Sequence, residues 1–151
     1  MSGESGRKSA FLAIAVGGLT AGTLDLTQAV VLFGWKIPLV IAGGLLGLQV
    51  VEDGGPAIYA LGVLLHYFIA CSATAIYYAA SRRLGFLKEH PLVCGLFYGG
   101  AVELVMRLIV LPLSALHIKG PYQWDDEVLG LGVHMTLVGL PIAFSVRRFS
   151  K

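Results

Sequence analysis

Charge is what this chain has least of. Of its 151 residues only 13% are Asp, Glu, Lys or Arg, against 56% hydrophobic residues and a mean hydropathy of +0.79. Those proportions exclude an ordinary soluble domain. There are two cysteines, Cys71 and Cys94, and no CxxC, which excludes a disulfide framework and a zinc pattern. Both are read as small residues of a membrane interior. No basic block accompanies the net charge of +2, so nothing points to nucleic acid. Nucleophile-base signatures, glycine-rich phosphate loops and HExxH are all missing, and an enzyme is not indicated.

What is there is long apolar runs. Arg7 and Lys8 precede one at residues 10–33, longer than the roughly 7–15 residues of a signal-peptide core, so it is read as a retained span. Further spans are expected at 56–80, 91–116 and 128–146, each long enough to cross about 30 Å at about 1.5 Å per residue. Residues 1–9, polar and rich in Ser and Gly, are expected to be disordered. Residues 38–51 are apolar apart from Gln49 but too short for a span, and they lack the charged face of a surface helix. A re-entrant or docked interfacial helix is expected there, started by Pro38. The fold class is therefore all-α: one transmembrane domain over residues 1–151, a four-helix bundle with a short helix between the first two spans.

With four spans, Arg7, Lys8, Arg82, Arg83, Lys88, Arg147, Arg148 and Lys151 share one side, and only Lys36 and Lys119 lie opposite. The positive-inside rule then makes both termini cytoplasmic. Trp35, Tyr122 and Trp124 mark the outer interface, and Tyr77 and Tyr78 the inner one. Pro112 is expected to kink the outer end of the third span.

The few ionisable groups inside the spans follow a pattern. The first span has Gly22 and Asp25, the third Gly100 and Glu103; the second has Gly62 and His66, the fourth Gly130 and His134. Acid then histidine occurs twice, as a duplicated helical hairpin with parallel repeats would give. From Lys8, Arg82, Lys88 and Arg147, the nearest charges on the cytoplasmic side, the four groups lie at about 20–26 Å, so they can share one layer. Gln28 and Arg107 complete it. Glu103 and Arg107, acid first at i,i+4, suit an ion pair. The third span carries about thirteen Leu, Ile, Val or Phe against these two charges, and on insertion scales it comes out near balance unless they are paired. Gly18, Gly22, Gly62, Gly95, Gly99, Gly100 and Gly130 supply the small faces on which helices close, and the glycine face of the first span would also allow a homodimer.

Three functions fit such a layer. Intramembrane ionisable residues are functional-site candidates, and histidine titrates near neutrality, which points to a transport-like or proton-responsive protein. His66 and His134 at matching depth are also what a bis-histidine haem or another metal would use, although no cofactor is expected. Third, the polar groups could serve as glue in a scaffold with no ligand. The partners expected are the lipid bilayer and either further copies of the chain or another membrane subunit.

Several stretches, in order along the chain, carry a resemblance: Gly17-Gly-Leu-Thr-Ala-Gly-Thr-Leu-Asp25, Gly44-Leu-Leu-Gly47, Leu65-His-Tyr-Phe-Ile-Ala70, Ile76-Tyr-Tyr-Ala-Ala-Ser-Arg-Arg83, Val110-Leu-Pro-Leu-Ser114, and His134 through Gly139-Leu-Pro-Ile142. In these the chain resembles the YagU-like group of small, uncharacterised four-span proteins of the bacterial inner membrane. The resemblance implies that Asp25, His66 and His134 are shared positions, and that the chain departs from the group at Glu103 and Arg107, where uncharged polar or aromatic residues are usual.

Overall fold

The computed structural model of the chain describes residues 2–118 and 123–150. Every regular element in them is helical. Four helices are long and apolar enough to cross a membrane: α1 (Ser2–Phe33), α4 (Pro56–Ser81), α6 (Pro91–Leu113) and α7 (Trp124–Phe149). Between α1 and α4 lie α2 (Ile37–Leu46) and α3 (Gln49–Asp53), and between α4 and α6 lies the single turn α5 (Phe86–Glu89). Large apolar side chains face outward along all four long helices, Phe11, Leu64, Phe97 and Val128 among them. An apolar exterior around an interior of small residues is a membrane protein's arrangement.

Several expectations need correcting. Residues 2–9 are the first turns of α1, continuous with the apolar run. The last helix starts at Trp124, not 128, because Asp125, Asp126 and Glu127 occupy its first turn, where the exposed N–H groups and the helix dipole favour acids. The third span ends at Leu113, since Ser114 turns to extended backbone. Tyr77 is no interface anchor: it is fully buried, donates to the Leu87 carbonyl at 2.9 Å and meets Tyr98 edge-on. Trp35 and Trp124 are exposed, while Tyr122, Lys119 and Lys151 lie outside the described residues.

Packing follows the glycines. Gly18 and Gly22 of α1 lie so close to Cys71, Tyr67 and Ala70 of α4 that an added methyl group would overlap them. That face is spent inside the monomer, so it is not the dimer surface expected from its GxxxG spacing. Gly95 and Gly99 of α6 play the same part against α7, on the backbone of Gly139 and His134. The two hairpins, α1–α4 and α6–α7, then join through α1 and α7, where Ser145 donates to the Ala13 carbonyl at 3.0 Å. Around the bundle the order is α4, α1, α7, α6. The seam between α4 and α6 is open, crossed by Tyr98 donating to the Ala73 carbonyl at 2.6 Å. A two-fold repeat would make the α4–α6 contact equal to the α1–α7 contact, so the hairpins are alike in plan but unequally joined.

The short helix α2 is docked. The backbone of Pro38 lies on Gly62, about 9 Å into α4 counted from Pro56, and the Gly44 carbonyl accepts from Ala115 N at 2.8 Å beyond the end of α6. Gly34 and Gly47, with φ of 90° and 97°, make the turns on either side of α2, a conformation that costs other residues strain.

Both α6 and α7 contain a π-helical stretch, Met106–Val110 and His134–Gly139. Each is followed by a proline, Pro112 and Pro141. A proline ring collides with the carbonyl four residues back and offers no N–H to it. Widening the preceding turn, as in the bond from Leu111 N to the Met106 carbonyl, absorbs that misfit with the helix unbroken.

Candidate functional site

All six residues expected in the polar layer line one cavity of about 350 Å³: Asp25 and Gln28 from α1, His66 from α4, Glu103 and Arg107 from α6, and His134 from α7. Apolar wall comes from Leu26, Phe33 and Val133, and α2 contributes Ile37 and Ile41. None of the six is turned wholly to lipid.

Each hairpin contributes an acid and a histidine, and the two pairs differ. In α6–α7, Glu103 is 4% exposed; one oxygen takes the Arg107 Nε and the other lies 3.0 Å from His134 Nδ1. Arg107 also donates through Nη1 to Glu127 Oε1 at 2.8 Å and through Nη2 to the Asp126 carbonyl at 3.0 Å. One guanidinium thus ties the middle of α6 to the first turn of α7. The flat Glu103–Arg107 pair lies over Gly130, where a methyl group would strike both side chains. His134 Nδ1 also reaches the Gly130 carbonyl at 3.0 Å. A carbonyl only accepts, so Nδ1 carries the proton.

In α1–α4, His66 Nε2 lies 3.9 Å from the Asp25 carboxylate, too far for a hydrogen bond. That nitrogen donates instead to the Gly22 carbonyl at 2.9 Å, where the close approach of α4 has brought it. Among the described residues no hydrogen bond reaches the Asp25 carboxylate. Beside it, Thr23 and Tyr67 join their hydroxyls at 2.9 Å, and the Tyr67 ring meets His66 edge-on.

In both histidines, therefore, one ring nitrogen is bound to a backbone carbonyl and the other, Nδ1 of His66 and Nε2 of His134, is left to accept a proton. A haem held through Nε2 of both would have to break the bond from His66 to Gly22. Among the described residues no three His, Cys, Asp or Glu side chains converge on a point that would hold a metal.

The expected ion pair is where the i,i+4 spacing put it, but Glu127 was missed as its third member because the acids before the last span read as loop. The signal was present: acids immediately before an apolar run are a helix-start pattern, and a buried Arg opposite one Glu needs further acceptors. The Thr23–Tyr67 pair had no such signal.

No protein-family model matches the sequence, and neither a curated protein nor a solved structure matches it. The class of molecule defined by fold and site is a four-helix membrane protein with a polar cavity in its bundle.

Proposed function

We propose that this chain is a small transport-like, proton-responsive protein of the bacterial inner membrane, with both termini cytoplasmic, in which Asp25, His66 and His134 take up and release protons. The observation that carries this reading is the pair of acid–histidine couples lining one intramembrane cavity, each histidine with one ring nitrogen left over. Ionisable groups are expensive at that depth and are kept where they act, and the histidine side chain changes charge near neutral pH. Orientation rests on the eight basic residues at the end that holds the termini, against two opposite. The resemblance to YagU-like proteins favours the same three residues, and its motifs alone carry it.

The test is proton flux. In liposomes holding a pH-sensitive dye, the purified chain should dissipate an imposed pH gradient faster than empty liposomes do. Asp25→Asn and His66→Ala, checked for folding by thermal unfolding, should return the rate to the empty-liposome level. Flux unchanged in both would sink the proposal and leave the layer as helix glue.

A further inference from the structure

We infer that the cavity binds a small organic cation, a protonated or quaternary amine, at Asp25. The inference rests on the proton-responsive reading and names the chemistry of what its site would take.

An anion finds no free positive charge here. Among the described residues the permanent cation on the wall is Arg107, and its Nε, Nη1 and Nη2 are already committed to Glu103, Glu127 and the Asp126 carbonyl. The N–H of each histidine is likewise given to a backbone carbonyl. The unmet demand is of the opposite kind. Asp25 presents a carboxylate to the cavity with the His66 Nε2 at 3.9 Å and that nitrogen's proton donated elsewhere. A carboxylate in a low-dielectric wall with no donor is an acceptor waiting for a positive charge.

The walls choose among cations. A bare metal ion needs about six oxygen ligands, and among the described residues no three His, Cys, Asp or Glu side chains come together at Asp25 to hold one. Helix α1 is unbroken there, so its carbonyls stay in the helical ladder. The remaining surface is the apolar flank of Leu26, Phe33 and Ile41, which suits the hydrocarbon of an amine. A volume of about 350 Å³ is at the small end of ligand pockets. An amine on Asp25 and a proton on Asp25 are mutually exclusive, so binding of one releases the other, which is the elementary requirement for exchange.

The experiment is calorimetric titration of the full-length purified chain with benzyltrimethylammonium, using benzenesulfonate as a comparator of similar size and opposite charge. The cation should bind, the sulfonate at least tenfold more weakly, and Asp25→Asn should weaken the cation at least tenfold. A second measurement uses the unaltered protein: dicyclohexylcarbodiimide should modify Asp25, read by peptide mass, and the cation should slow that modification. Equal binding of the two probes, affinity unaltered in Asp25→Asn, or labelling of Asp25 indifferent to the cation would each overturn the inference. Proton flux that persists with no cation binding sinks the amine site and leaves the proton reading standing. Cation binding with no flux does the reverse.

Discussion

The two acid–histidine couples are built on the same plan, a GxxxG helix seating a histidine helix, and yet they have opposite chemical characters. Glu103 is saturated: Arg107 and His134 take its two oxygens, Gly130 makes room for the pair, and Glu127 and a backbone carbonyl take the rest of the guanidinium. Asp25 is bare, because His66 has turned its proton to the Gly22 carbonyl. A closed network of charges in a membrane interior fixes the helices that carry it; an open one leaves a charge to be met by something that comes and goes. On the proposed reading, Glu103 and Arg107 hold the α6–α7 hairpin and Asp25 is the group left for exchange.

Removing Arg107 is the strongest way to break that contrast. Arg107→Ala strands Glu103 in a buried site and should cost about 3–5 kcal/mol, read as a large fall in thermal midpoint in detergent. The double change Glu103→Gln, Arg107→Met should recover most of it, since it leaves no uncompensated charge in the site and His134 still donates to position 103. If the double variant is as unstable as the single one, the network does not hold the hairpin by charge.

Gly130→Ala comes next. The added methyl group pushes the ion pair off α7, and overpacking of this kind costs about 1–3 kcal/mol. Gly100→Ala, whose methyl group would meet Leu131 and Met135 at ordinary contact distance, should cost far less, so unfolding of the two variants side by side isolates the effect of displacing the pair.

The smallest effect on stability, and the sharpest on the contrast, belongs to Asp25→Asn. With no hydrogen bond to lose, it should shift stability by less than about 1 kcal/mol while abolishing the pH-driven flux. A loss of stability as large as that of Arg107→Ala would show that Asp25 also holds helices together.

Much of this was legible in the residues. Four spans, the docked α2 and the common depth of Asp25, His66, Glu103 and His134 follow from run lengths, Pro38 and counting from the basic ends. What could not be read is which way a polar atom turns. Arg107 at i+4 sets Glu103 apart from Asp25 in the sequence, but the two acid–histidine spacings look equivalent there, and their difference comes from a 3.9 Å gap against a 3.0 Å contact. The partner of Gly18 and Gly22 was hidden for a related reason: spacing shows that a face is small, while only packing shows that α4 fills it. Tyr77 was placed at an interface by its position near the end of a span; the Leu87 carbonyl, on the helical turn α5, drew it inward.

The π-helical stretches ahead of Pro112 and Pro141 have a consequence for the numbering of faces. Each holds one residue more than an α-helix would use for the same rise, so the parts of α6 and α7 on either side are out of phase by about 100°. A single helical wheel drawn through either span will misassign one end of it. Closing the wide turn by loss of Leu108, which faces outward, would rotate the two parts of α6 back into phase and return the Pro112 ring to the carbonyl four residues before it.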